Sequence, residues 1–351
     1  MTWDVALILV IDGIANGAVY LLAGLGLVLV FSVTRVVFVP FGDISAFAAL
    51  SLAAMEGGRV PATIGMVMCL AALAVVVEVV SCVRRHDTGA IPKAILGWGV
   101  LPALPCLLAW AVAGQKVPQI VNIVAAILLV VPLAPLIARL ALQPIADASV
   151  LVLLIAALAL HFLISGLGLL FFGPEGFRTQ PLATGSFTLP GGLPVSAQVM
   201  LMVSAAIVLS GLFYLMFERT VAGKALRATA VNRVGARLVG IRPARTALLA
   251  YTLASLLGGL IGILVAPAMT LYYDSGFIIG LKAFVAAIIG GLVSYPLTAI
   301  GAICVGIVES FGSFFSGALK DVIVFSLLIP ALLLRSWLQK HPEEEQEEVE
   351  A

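Results

Sequence analysis

Charge is scarce in this chain. Only 11% of its 351 residues are Asp, Glu, Lys or Arg, and 19 basic against 18 acidic residues leave a net charge of +1. That balance excludes the basic surface by which a protein holds nucleic acid. Cysteine is rare too: Cys69, Cys82, Cys106 and Cys304 lie singly in apolar stretches without CxxC spacing. They read as small buried apolar residues, not as a disulfide or metal framework. A phosphate-binding GxxxxGK[ST] loop is missing. Gly223-Lys224 is followed by Ala225 and has no upstream Gly at the needed spacing. HExxH, GxSxG and paired-carboxylate patterns are missing as well, so no catalytic residue, metal ligand or enzymatic activity is expected of this chain. No Lys or Arg precedes the first apolar run, "MTWDVALILVIDGIANGAVYLL". That run is expected to persist as a membrane span and not as a cleaved signal peptide.

What the chain has in excess is apolar length. Hydrophobic residues make up 62%, and the mean hydropathy is +1.19. Runs of about 20 apolar residues recur, each long enough to cross a hydrocarbon core of about 30 Å. They are apolar on every side, which excludes the period-two alternation of a membrane β-barrel. The expected fold is therefore an all-α polytopic transmembrane helical bundle with about 9–11 membrane segments, some short or broken. The segments fall near 5–33, 43–56, 62–82, 94–113, 119–138, 150–172, 198–218, 246–267, 279–293, 298–315 and 321–337.

Basic residues between the segments set an orientation, because Lys and Arg gather in cytoplasmic loops. Arg35, the Arg84–Arg85–Lys93 group, Arg139, the stretch from Arg219 to Arg245, and Arg335 with Lys340 all fall on one side. Loops 57–61, 114–118, 173–197 and 268–280 fall on the other. The N-terminus is expected outside and the C-terminus in the cytoplasm. Residues 1–340 form the membrane domain. Residues 341–351, "HPEEEQEEVEA", carry six Glu and read as a disordered acidic tail. Loop 172–198 is rich in Gly and Pro, with one β-like stretch from Ser186 to Leu189; loops of this length serve as docking or lid elements.

Segments 43–56 and 279–293 are too short to span, at about 1.5 Å per residue. Before the first, Pro40 and Gly42 in "FVPFGD" interrupt the helix ahead of Asp43. Short or interrupted segments in both halves of a chain point to a transport path; a tight helical hairpin with no path is the plainer reading. The polar residues available to a path are Asn16, Tyr20, Asp43, His161 and Glu309, with Phe41 beside the break. Asn16 and Tyr20 share a face with Gly13 and Gly17, and either line the path or bond a neighbouring helix. An intramembrane His is costly unless partnered, so His161 is either functional or a satisfied structural residue. Glu309 reads first as an inter-helix partner. Lys282 is expected at the outer surface, and Glu78 is expected to reach towards Arg84 and Arg85. The GxxxG pairs Gly13/Gly17 and Gly258/Gly262 read as close-packing positions.

One short stretch gathers much of the positive charge: Arg227, Arg233, Arg237, Arg242 and Arg245 lie within 19 residues. The positive-inside rule explains the charge but not the pattern. Leu226, Ala230, Val234, Leu238 and Ile241 recur every three to four residues, as one apolar stripe on a helix. Arg233 and Arg237 sit beside it. Gly240 ends the helix and Pro243 cannot continue it. An amphipathic helix between two spans either rests on lipid or docks into a partner.

These residues resemble a known family. "GKALRATAVNRVGARLVGIRPAR" looks like the coupling-helix loop of ABC importer permeases of the branched-chain amino acid type (LivH/LivM-like). "LASLLGGLIGILVAP", "GLKAFVAAIIGGLVSYPLTAIGAICVGIVESFG" and "LKDVIVFSLLIPALLLR" resemble that family's C-terminal half. "NGAVYLLAGLGLVLVF" resembles its first span and "LLFFGPEG" its central outer loop. The resemblance covers about 1–55 and 119–337. It implies a permease subunit of the bacterial inner membrane that carries a small organic solute, a branched-chain or other amino acid first. The partners it implies are a second permease subunit (the same chain or another), two cytosolic ATPases that bind ATP and Mg, and a periplasmic solute-binding protein. This chain would hold no cofactor. Residues 219–245 would be the coupling loop. In two places the chain departs from the family. Where members carry an Asn-Phe-Ala-His/Gln-Gly-like stretch, this chain has Phe38-Val39-Pro40-Phe41-Gly42, which leaves room for amides or aromatic acids. Residues 57–118 add helix to the usual layout. The alternative from the residues alone is an ion- or proton-coupled secondary transporter. That class needs membrane carboxylates, for which Glu78, Glu309 and Asp43 are scattered candidates.

Overall fold

The computed structural model describes residues 3–86, 88–188 and 194–338, so the acidic tail and Leu189 lie outside the described residues. In chain order the helices are α1 (Trp3–Thr34), α2 (Phe41–Glu56), α3 (Thr63–Arg84), α4 (Ile91–Val112), α5 (Gln119–Ile145), α6 (Val150–Phe172), α7 (Ala197–Arg219), α8 (Val221–Val231), α9 (Arg233–Leu238), α10 (Pro243–Val265), α11 (Ser275–Ile289), α12 (Tyr295–Phe315), α13 (Lys320–Ser326) and α14 (Leu328–Leu338). Eight of them are long and apolar enough to cross a membrane: α1, α3 to α7, α10 and α12. With the short α2 and α11 and the α13–α14 pair, they match the expected segments one for one. The protein is a multi-pass, all-α membrane protein. A two-stranded antiparallel ribbon, β1 (Ser186–Thr188) and β2 (Pro194–Ser196), lies in the loop between α6 and α7.

Glycines set the packing. A Cβ on Gly13 would meet Ile307, one on Gly17 would meet Ile303, and one on Gly24 would meet Thr298. Ascending positions on α1 therefore face descending positions on α12, and the two helices are antiparallel. Gly290 and Gly301 bring α11 against Thr298 and Ile289 in the same sense, so α11 also runs against α12 and along α1. Gly258 and Gly262 of α10 meet Ile44 and Ser45 in ascending order, so α2 runs along α10. The result is two interleaved hairpins of opposite direction. Each joins a long helix to a short one, α1 to α2 and α10 to α11, and each short helix packs along the other hairpin's long helix. Both expected GxxxG pairs are close-packing positions.

Each hairpin needs a stretch of non-helical backbone, and such backbone at membrane depth must be satisfied by protein. After α1, Arg35 adopts the left-handed region at φ 62°, a place where helices usually end on glycine. The chain then runs non-helical through Val36 to Phe38 and turns at Val39 and Pro40, with Val36 and Phe38 buried and Phe38 set edge-on to Tyr251 at 5.1 Å. The break is residues 35–40. Gly42, which the sequence suggested as part of the break, lies instead with Asp43 in the first turn of α2. After α10, Gln198 Nε2 donates to the Leu264 carbonyl at 2.9 Å and Arg178 Nε to Pro267 at 2.9 Å, while Phe177 and Leu271 exchange two 2.9 Å backbone bonds. The long loop and the first turn of α7 thus supply what the second break lacks.

Two other expectations are corrected. Glu78 pairs with Arg139 of α5 at 2.6 Å, not with Arg84 or Arg85, because its helix faces α5 there. Cys106 is buried, but Cys69 and Cys304 are exposed on outward helix faces, where an apolar side chain suits a lipid-facing wall.

Candidate transport pathway and coupling surface

The two short helices begin against each other. A Cβ at Gly42 would stand 2.0 Å from the Gly276 carbonyl oxygen, and one at Gly276 would stand 2.2 Å from that of Gly42. Only glycine allows this approach. Immediately beside it Asp43 Oδ2 bonds His161 Nδ1 of α6 at 2.8 Å, and both side chains are buried. The imidazole stacks on Phe277 of α11 at 4.2 Å and 16°. Asp43 Oδ1 has no partner among the described residues. Phe41 is fully buried, its ring edge against Gly26 of α1. His161 is thus partnered, as an intramembrane His should be, and it ties α6 to the point where the hairpins cross.

A second cluster sits elsewhere on the same frame. A cavity of about 550 Å³ opens between α1, α7, α11, α12 and the start of α13. Asn16, Tyr20 and Glu309 all line it. Tyr20 donates its hydroxyl proton to Glu309 Oε2, and the Lys282 ammonium bonds Glu309 Oε1. Lys282 Nζ also lies 2.8 Å from Asp321 Oδ1 at the start of α13. α12 and α13 therefore converge on one buried ammonium of α11, and α1 joins them through the bond from Tyr20 to Glu309. Placing these charges in a low-dielectric interior is expensive, and only their mutual pairing offsets it. Three of the proposed path residues, Asn16, Tyr20 and Glu309, share this cavity; Phe41, Asp43 and His161 do not line it.

The third feature is the arginine-rich segment after α7. Thr220 caps α8 by accepting from Gly223 N at 3.0 Å, and Asn232 caps α9 by accepting from Gly235 N at 2.9 Å. Asn232 has extended backbone (φ −149°, ψ 107°), so the segment is two helices, not one. That corrects the single stripe. Leu226 and Ala230 belong to α8, where Leu226 is completely buried with Leu29, Val33, Phe217 and Ala250. Val234 and Leu238 belong to α9 and are 68% and 85% exposed. Arg237 is exposed and Arg233 is half-buried. Gly240 ends α9 at φ 86°, and Pro243 opens α10, as expected from sequence. Ile241 is half-buried between them. A Thr246–Thr229 hydroxyl bond at 3.1 Å fixes α8 to α10. One face of the segment is anchored into the bundle, and a second apolar face stands free.

Residues 9–332 match the family described as the branched-chain amino acid transport system / permease component. The chain belongs to this family. The permease is 29% identical over 204 residues to the high-affinity branched-chain amino acid transport system permease protein BraD of Pseudomonas aeruginosa. Over the same length it is 29% identical to LivH of Escherichia coli and 28% to LivH of Salmonella typhimurium. Each match takes in 56% of the permease and 66% of the relative, so the chain spans just under two-thirds of the curated relatives it matches. No solved structure matches it.

Sequence reasoning missed the centre of the permease's buried charge network. Lys282 was expected at the outer surface but is only 4% exposed and salt-bridged inside. The signal available was a lone Lys on an otherwise apolar helix, with a lone Glu on the next. Asp321 and Asp12, also on the cavity wall, were not singled out at all.

Proposed function

We propose that this chain is the membrane-spanning subunit of an ATP-driven importer, carrying a branched-chain or closely related amino acid into a bacterial cell across the inner membrane. The observation that carries this reading is the family match along residues 9–332. It is supported by a frame of two inverted, broken hairpins, with a partly polar cavity between α1, α11 and their neighbours α7, α12 and α13. Such discontinuous helices commonly surround a transported solute. The arginine-rich end faces the cytoplasm by the positive-inside rule, with the N-terminus outside and the C-terminus in the cytoplasm. Two cytosolic ATPases hold ATP and Mg. A second permease subunit completes the membrane domain, and a periplasmic binding protein delivers the solute. The free face of α8 and α9 is the docking knob, residues 219–245 being the coupling loop. ATP binding brings the ATPases together, the knob moves with them, and the hairpins reorient.

The test is uptake of radiolabelled leucine by cells that express the chain with its neighbouring transport genes and lack other leucine systems. The expected result is uptake blocked by vanadate and indifferent to a protonophore. Uptake abolished by the protonophore but indifferent to vanadate would establish the ion-coupled alternative.

A further inference from the structure

We propose that the Lys282–Glu309–Asp321 cluster is a binding subsite for the charged end of a zwitterionic amino acid, with the α-ammonium group as the principal determinant. The inference rests on the transport reading above and assigns it a site. The cavity, at about 550 Å³, lies within the usual size range of small-molecule sites, roughly 300–1,000 Å³. Its lining is mixed: Lys282, Glu309 and Asp321 are charged, while Val199, Met202 and Ile278 are apolar. An aliphatic amino acid combines the same two characters, with both charges at one end.

The charge count favours an ammonium. Three carboxylates line the cavity (Asp12, Glu309 and Asp321) against two ammonium groups (Lys282 and Lys320), which leaves one negative charge in excess. An incoming ammonium meets that excess directly. An incoming carboxylate without an ammonium adds to it. A zwitterion lets the pairs exchange: its ammonium takes a carboxylate face of Glu309 or Asp321, and its carboxylate takes Lys282. The carboxylate that gives up Lys282 gains the ligand's ammonium, so the exchange strands neither partner, the condition under which buried charges are tolerated. Tyr20, already a donor to Glu309, and Asn16 stay as neutral hydrogen-bonding groups on the wall. Asp321 is the most exposed member of the set. Its side chain is 37% exposed, whereas Lys282 and Glu309 are 5% and 10% exposed, so its carboxylate is the one an incoming ligand reaches first. Intramembrane ionisable groups facing a cavity commonly mark a substrate route.

The experiment uses the complete permease–ATPase complex in lipid nanodiscs without its binding protein. Equilibrium binding of radiolabelled L-leucine is measured, with unlabelled leucine, isoamylamine (ammonium only) and 4-methylpentanoate (carboxylate only) as competitors. The expected order is leucine, then isoamylamine, with 4-methylpentanoate weaker than leucine by about tenfold or more, the value of one charge-assisted hydrogen bond. Asp321→Asn should weaken leucine binding by about tenfold and bring 4-methylpentanoate closer to it. Glu309→Gln leaves the buried ammonium with Asp321 alone and can fail to fold, so the paired variant Lys282→Met/Glu309→Leu removes both charges together and should abolish the preference for leucine over 4-methylpentanoate. Equal competition by the two analogues, wild-type affinity in Asp321→Asn and in the paired variant, or no leucine binding at all would overturn the subsite. If vanadate-sensitive leucine uptake persists beside such a result, the importer reading stands and only the subsite falls.

Discussion

Replacing Gly42 by alanine tests the hairpin crossing. The added Cβ would lie 2.0 Å from the Gly276 carbonyl oxygen and 3.1 Å from the Gly280 nitrogen, where ordinary contact begins near 3.4 Å. Both neighbours are backbone atoms, so no rotamer change relieves the clash and α2 and α11 must separate. Overpacking of a close contact costs about 1–3 kcal/mol, and rigid backbone on both sides places this one at the upper end. Alanine's better helix propensity returns about 1 kcal/mol. A net loss of about 2 kcal/mol remains, close to a thirtyfold change in the folded-to-unfolded ratio. The control is Gly166→Ala on α6, where nothing lies within 4 Å of the new Cβ; it should be neutral or stabilising by about 0.5–1 kcal/mol. The assay is the temperature at which detergent-solubilised protein loses its monodisperse size-exclusion peak. Gly42→Ala as heat-resistant as Gly166→Ala would refute the crossing.

Leu226→Ala should lower the same temperature strongly, since truncating a fully buried Leu costs about 2–5 kcal/mol. Leu238→Ala should leave it unchanged, because that side chain is 85% exposed, but should reduce ATPase copurification and substrate-stimulated hydrolysis. Arg233→Gln should affect both less, a rim charge being screened by salt. Normal coupling in Leu238→Ala and Ile241→Ala alike would remove the knob. Ser255→Ala takes away the 2.8 Å bond to the Val130 carbonyl near Pro132 and should cost about 1–3 kcal/mol, read as lost thermostability. In a cysteine-free background, Ala230→Cys and Thr184→Cys should react with an impermeant thiol reagent from opposite faces of the membrane; labelling from one face would overturn the orientation.

The spans were legible because twenty apolar residues have few other uses, and the short helices because length is countable. Glycine spacing correctly flagged the close-packed faces, although it could not say which helix each one met. The helix break after α1 was placed a few residues late, since Pro40 and Gly42 carry the local signal while the turn itself is made by Arg35 in a left-handed conformation that sequence gives no reason to expect. The arginine segment read as one helix because its apolar spacing runs straight through Asn232. Asn232 breaks it by offering its own side chain as a cap, a local bond that periodicity does not register. The Lys282 cluster stayed hidden for a different reason. Its members come from α1, α11, α12 and α13, and no spacing along the chain encodes a meeting between residues 20 and 309.

That separation also bears on how the chain is made. Tyr20 and Glu309 stand 289 positions apart, and α1 packs along α12 through Gly13, Gly17 and Gly24. At a synthesis rate of about 5–20 residues per second, the first helix waits roughly 15–60 s in the bilayer before the surface it is shaped for has been translated. During that interval its glycine face and its Asn16 and Tyr20 side chains have only lipid, or some temporary protein neighbour, for company. α1 thus reaches its final place only once α12 has been made.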